Sequence, residues 1–239
     1  MVDVELHDGV AVITIDRPHA RNAIGQATMD ELEKALVAVA GARALVIRGA
    51  GERAFVSGGD LKELSAIRTE DEAMAMALKM RRICDQLADF PAPVIAALNG
   101  HALGGGAEVA VAADIRVAAD DIRIGFTQVT LAIMPAWGGA ERLAALVGKG
   151  RALLLAGAGR VLDAAEAERI GLVDQVLPRA SFEVGWRALA RSLANDSARE
   201  IKRLTAGNLP PEEAARAFAR LWVTDAHWEA SERMINRGK

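Results

Sequence analysis

One stretch limits what this chain can fold into more than any other: GHALGGGAE, Gly100 to Glu108. An apolar run, Val94 to Leu98, enters it after Pro91 and Pro93, and a helix-like run, Ala107 to Ala113, leaves it. Three consecutive glycines at a strand-to-helix junction remove every Cβ from the place where a ligand would meet the backbone. The first N–H groups of a helix lack intrahelical acceptors, and the helix dipole adds partial positive charge there. Such a junction suits an anion, or an oxygen that becomes anionic during a reaction. Glu108 stands just inside it, where a carboxylate would meet a substrate. A helix start that needs glycine only for tight packing is the plainer alternative.

The rest of the chain alternates short apolar runs with helical periodicity. Val10 to Ile15 reads as a strand, followed by the loop HARNAIG (His19 to Gly25). A helix should follow, with Thr28 and Glu31 as a capping box and Met29, Leu32, Leu36 and Val39 as its apolar face. Ala44 to Ile47 is a second strand, and Gly49 to Leu64 a loop leading into a short helix. Glu70 to Phe90 reads as a long helix, stopped by Pro91 and Pro93. Ile115 to Ala118 is a strand, Ile122 to Pro135 a strand and loop, and a helix runs from Trp137 to Val147. Short helices at Ala152 to Gly157 and Asp163 to Ile170 precede a late strand at Val173 to Val176. Beyond Pro178 the pattern is helical to the end, with a break near Gly207 to Pro211. An α/β core over residues 1–178 and a helical C-terminal part over 179–239 follow.

Composition narrows the function classes. A chain of 239 residues, 51% hydrophobic, can bury a core without disulfides. The single cysteine, Cys84, suits a reducing compartment, and no apolar run is long enough to span a bilayer. The N-terminus has no basic segment followed by an apolar one, so no signal peptide is expected. A net charge of −3 with both signs interspersed, and no tyrosine, argue against nucleic acid or an anionic membrane as partner. The expectation is a soluble, cytoplasmic protein.

A second loop, FVSGGDLKE (Phe55 to Glu63), repeats the logic of the first. It sets Gly58 and Gly59 before a helix start, with Asp60 as cap. Two such junctions can aim two backbone N–H groups at one oxygen, which is an oxyanion hole without side-chain donors. Other chemistries fit worse. Ser57 lies in no G-x-S-x-G motif, and Gly148-Lys149-Gly150 lacks the upstream glycine of a phosphate-binding loop. The four histidines are scattered and Cys84 is alone, so no metal is expected. His101 reads as a structural residue beside the pocket.

FVSGGDLKE, GHALGGGAE, MPAWGG (Met134 to Gly139) and RIGLVDQV (Arg169 to Val176) together resemble the crotonase superfamily, the enoyl-CoA hydratase/isomerase family. The resemblance covers nearly the whole chain in order. It implies a spiral of ββα units with a helical C-terminal trimerisation part, and a homotrimer or dimer of trimers. It also implies an acyl-CoA substrate whose thioester enolate is held by two backbone N–H groups. No separate cofactor is implied, since coenzyme A is part of the substrate. Carried over by position, the oxyanion donors would be Gly59 and Gly105. Arg21, Ala23, Asp60, Leu61 and Lys62 would contact the coenzyme A portion, with Arg21 and Lys62 near its phosphates.

The chain departs from the hydratase pattern at one position. Hydratases of this kind use two glutamates on one water; Glu108 matches the first, but Gln128 stands at the second. An amide can hydrogen-bond but cannot exchange a proton near neutral pH. Decarboxylation of a malonyl-type thioester makes the enolate without a base, and a neutral Gln128 would not repel the substrate carboxylate. Trp137 could exclude water from that carboxylate. IMPAWGG and the ending RLWVTDAHWEASERMINRGK are similar, more weakly, to the ethylmalonyl-CoA decarboxylase branch. The sequence reading therefore leans to an acyl-CoA lyase that decarboxylates a short malonyl-type substrate. The alternatives are a 2-enoyl-CoA hydratase using Glu108, and a non-catalytic CoA-binding or scaffold subunit.

Overall fold

Strands β1 (Val2–His7) and β2 (Val10–Ile15) form an antiparallel hairpin turned by Asp8 and Gly9, at φ 50° and 79°. The structure is a computed structural model, and it describes residues 1–207 and 209–237. Next come α1 (Gln26–Ala38), β3 (Ala44–Gly49), β4 (Ala54–Val56), the short α2 (Leu61–Leu64) and the long α3 (Glu70–Ala88). They are followed by β5 (Val94–Leu98), β6 (His101–Leu103), α4 (Gly105–Ala110), β7 (Ile115–Ala119), β8 (Arg123–Gly125) and a 3-10 turn, Gln128–Leu131. The unit closes with α5 (Gly139–Val147), α6 (Lys149–Gly157), β9 (Val161–Asp163), α7 (Ala164–Arg169), β10 (Gln175–Leu177) and α8 (Phe182–Leu193).

Two sheets result. The larger runs β1-β2-β3-β5-β7-β10, parallel from β2 onward, and the smaller runs β4-β6-β8-β9. Each turn of a ββα spiral puts its first strand in the larger sheet and its second in the smaller. Thus β3 leads to β4, β5 to β6 and β7 to β8. β5 is buried at every position, as a parallel strand covered on both faces must be. Helix α4 packs on β4 and β6, and Gly106 sets how closely. A Cβ on Gly106 would fall 1.8 Å from the Val56 carbonyl oxygen, so only glycine lets α4 approach β4. The buried amides of Asn22 and Asn99 take the carbonyls of the turn between β3 and β4.

Several expected boundaries move. The Thr28–Glu31 capping box does not form, because α1 is capped at Gly25, three residues before Thr28, and starts at Gln26. The Gln26 N–H instead donates to Glu63 Oε1 (2.8 Å), and Glu31 accepts from the Val2 N–H. A capping box does form at Thr69 and Glu72, opening α3. The helix expected from Trp137 starts at Gly139, since Gly138 adopts φ 86° and the amides before it turn inward. The helix expected at Ala107 to Ala113 begins and ends earlier, as Gly105–Ala110, and the late strand is Gln175–Leu177. Strands β1, β4, β6 and β9 lie in stretches read as loop or terminus.

The chain divides into two compact units, Met1–Ala194 and Asn195–Lys239, rather than at residue 178. The boundary shifts because α8 belongs to the first unit. It buries Phe182 and Trp186 against that unit's core, and Glu183 pairs with Arg48 of β3 (2.9 Å). The second unit holds α9 (Asp196–Thr205), α10 (Pro211–Trp222) and α11 (Asp225–Arg237). Arg203–Glu213 and Arg220–Glu200 ion pairs tie α9 to α10. Asn208, in the expected break, and Gly238 and Lys239, at the end of the C-terminal motif, lie outside the described residues. Among the described residues no helix is long and apolar enough to cross a membrane.

Candidate active site

The two glycine junctions meet. Ile24 bridges the second loop, its N–H donating to the Gly58 carbonyl (2.8 Å) and its carbonyl accepting from the Asp60 N–H (2.9 Å). This holds Gly58 against the other junction, so closely that a Cβ there would lie 3.3 Å from the Gly105 nitrogen. Gly105 opens α4, so its N–H has no intrahelical acceptor. No backbone carbonyl takes the N–H of Gly59 or of Gly105 among the described residues. Gly58, the residue before Gly59, is thus packed against Gly105 although the two loops are far apart in sequence.

Glu108 lies one turn along α4 and is 2% exposed. Its Oε2 accepts from the backbone N–H groups of Trp137 (2.7 Å) and Gly139 (3.0 Å), and its Oε1 from Gln128 Nε2 (2.7 Å). Burial pushes its pKa above the ordinary glutamate value, against the opposing pull of the Gly139, Trp137, Gln128 and Ala136 donors. Gln128 opens the 3-10 turn after β8 and is 7% exposed; its own Oε1 is buried without a partner. A carboxylate oxygen has room for two hydrogen bonds, so Glu108 Oε1 keeps one acceptor position.

Trp137 completes this cluster. Its ring lies against Gly105, where a Cβ would fall 2.1 Å from Cζ3. Its carbonyl accepts from Arg142 Nη1 (3.2 Å), and Arg142 Nη2 is paired with Asp85 of α3 (2.5 Å). The loop that carries the Glu108 donors is therefore pinned to a helix on the far side.

Arg21, Ala23, Gly59, Asp60, Leu61 and Lys62 share a separate open groove of 840 Å³. Within it Asp60 is already engaged. It caps α2 through the Lys62 and Glu63 N–H groups, and pairs with Arg17 Nη2 (2.8 Å), which holds its carboxyl below the usual carboxylate range. Arg17 Nη1 also donates to the Ala23 carbonyl (2.5 Å), so these two residues shape the groove rather than offer their polar groups to it. Leu61 and Lys62 are exposed on its rim. Arg21 and Ser57 also border a second groove of 530 Å³, which contains Arg53, His101 and Arg179. His101 Nδ1 accepts from the Arg123 N–H (3.0 Å), a structural bond beside the groove.

The expected site residues thus fall into two groups: Gly105, Glu108, Gln128 and Trp137 together, and Arg21, Ala23, Asp60, Leu61 and Lys62 around Gly59. Gly58 and Gly59 join them. Sequence reasoning missed Arg142, Asp85 and the Gly139 amide; Gly138-Gly139 was the visible signal for the last. Among the described residues no group of three or more His, Cys, Asp or Glu is placed to hold a metal ion.

Comparison with known proteins bears on this geometry. Residues 5–214 match the family model described as Enoyl-CoA hydratase/isomerase. The chain is 35% identical over 218 residues to a probable enoyl-CoA hydratase, echA8, of Mycobacterium tuberculosis, covering 90% of this chain and 81% of the relative. It is 35% identical over 204 residues to a short-chain-enoyl-CoA hydratase of Clostridium acetobutylicum, covering 84% and 78%. The crystal structure of an enoyl-CoA hydratase from Bacillus anthracis matches with a TM-score of 0.90 at 31% identity, covering 99% of this chain and 96% of that one.

Proposed function

Because the chain belongs to the enoyl-CoA hydratase/isomerase family, whose members act on acyl-CoA thioesters, we propose that it adds water to a 2-enoyl-CoA. The observation that carries this reading is the buried Glu108 carboxylate, raised in proton affinity and one helical turn from the free Gly105 amide. The thioester oxygen accepts from the Gly59 and Gly105 N–H groups. Water, bound at the open position of Glu108 Oε1, gives a proton to that carboxylate as its oxygen bonds to C3. The C2–C3 π electrons move into the thioester, whose oxygen becomes the enolate oxygen held by the two amides. Glu108 then returns the proton to C2, restoring the carbonyl. Gln128 moves no proton; its partnerless Oε1 accepts the water's other hydrogen and fixes its orientation.

This reading replaces decarboxylation as the leading one, since both curated relatives carry hydratase names. Decarboxylation keeps one supporting feature: a neutral amide, Gln128, stands where a second carboxylate would repel a malonyl-type substrate. Turnover of crotonyl-CoA beside methylmalonyl- and ethylmalonyl-CoA, with products identified by mass spectrometry, separates the two. Hydration is expected, and Glu108→Gln should lower it by about 10²–10⁴. Loss of CO₂ without hydration would overturn the reading in favour of decarboxylation. CoA-ester binding with no turnover would leave a non-catalytic binding subunit.

We further propose that the chain works in the cytoplasm as a homotrimer or dimer of trimers, without a cofactor beyond the coenzyme A of its substrate. Exposed Phe218, Trp222 and Trp228 of the second unit support the assembly.

A further inference from the structure

The geometry points to Trp137 as the residue that limits acyl chain length. The inference rests on the proposal that Gly59 and Gly105 hold a thioester oxygen. If they do, C1 lies at the Gly105 amide and C3 lies within reach of Glu108. Trp137 spans those two points. Its Cζ3, Cη2 and Cε3 atoms lie 2.1, 2.5 and 2.8 Å from where a Gly105 Cβ would be, so the six-membered ring rests on the Gly105 α-carbon. Its backbone N–H is 2.7 Å from Glu108 Oε2. The ring therefore occupies the space beside the reacting carbons that an extended acyl tail would otherwise use.

The ring is also fixed there. Trp137 is 6% exposed, and its carbonyl is gripped by Arg142, itself anchored by Asp85. A Glu108 oxygen holds the same residue from the other side. Swinging the indole away would break its contact with Gly105, while the backbone bonds to Arg142 and Glu108 fix the α-carbon from which the ring projects. A wall held by this many partners does not yield to a long chain at low cost, since close-packed interiors resist insertion of extra methylenes. The site should therefore favour short acyl groups, since one added methylene in a closed pocket typically changes discrimination by about 10–200-fold.

The test is a chain-length series of trans-2-enoyl-CoAs, from four to ten carbons, on the wild type, Trp137→Phe and Trp137→Ala. Binding of the matching saturated acyl-CoAs is measured alongside. Wild type should prefer the short esters. Trp137→Ala should raise the ten-carbon to four-carbon ratio of kcat/KM by about tenfold or more, with Trp137→Phe between. A merely structural role would lower every chain length by the same factor, and that result overturns the inference, as does a wild type indifferent to length. No turnover, with the binding preference still shifting between variants, would sink the hydration reading and keep the wall. Absence of binding to any acyl-CoA would overturn both.

Discussion

At the scale of single residues, the proposed chemistry rests on a carboxylate placed where ionisation is costly. Burial raises the Glu108 pKa, so the folded chain holds that proton more tightly than the unfolded chain does. Its contribution to stability is full below the unfolded glutamate pKa, about 4.3, and is lost as pH rises through the raised folded value. Urea unfolding of wild type and Glu108→Gln should show this directly. The wild-type minus variant difference should decline with rising pH, and a flat difference would mean the burial is relieved in solution. Glu108 itself was legible in the sequence because its neighbours are glycines and its spacing from Gly105 is helical. The Gln128 contact was legible only through resemblance. The Arg142–Asp85 anchor was invisible, because a pair 57 residues apart leaves no local periodicity to read.

At the scale of elements, helix ends are fixed from outside as often as from within. Glu63 of α2 accepts from the first amide of α1, and Asp60 both caps α2 and holds Arg17. Asp60→Ala should therefore cost about 2–4 kcal/mol, through the lost cap and an Arg17 left without its carboxylate. Chemical denaturation measures the loss. It should shrink at low pH, because the depressed Asp60 pKa gives stability that is present above the ordinary carboxylate range and lost as pH falls through the lower folded value. A loss unchanged by pH would mean that neither the cap nor the Arg17 pair depends on the ionised Asp60 carboxyl. Such tertiary capping explains why Thr28 and Glu31 misled: the pattern was sound locally, but α1 took its first acceptor from a residue 37 positions away. The short strands β4, β6 and β9 were hidden for a similar reason. Three residues carry too little alternation to announce a strand, and each exists only because a neighbouring strand pairs with it.

At the scale of the whole molecule, the alternation of strands and helices up to residue 178 was enough to give an α/β core, and the motif order gave the spiral. The extent of the first unit was not legible, since α8 is amphipathic like the helices after it and only its partners assign it. In the second unit Trp222 stacks near Phe218, His227 and Trp228, at ring separations of 5.4, 4.4 and 5.8 Å. Phe218, Trp222 and Trp228 are nonetheless 61%, 45% and 50% exposed. If they form a subunit contact, light scattering should give three or six times the mass of one chain, and Phe218→Ser with Trp228→Ser should reduce it. A wild-type monomer would refute the assembly. The spiral has a last consequence, which concerns time rather than space. Gly59, Gly105 and Gln128 follow the second strands of three successive turns, and every donor to the Glu108 side chain lies later in the chain than Glu108 itself. As the chain is made from its N-terminus, the proposed oxyanion donors Gly59 and Gly105 come first, with a Glu108 carboxylate that is still hydrated. Only when residues 128 to 139 have been made can that group be enclosed, so the acid–base role proposed for it can begin only after both glycine loops have been synthesised.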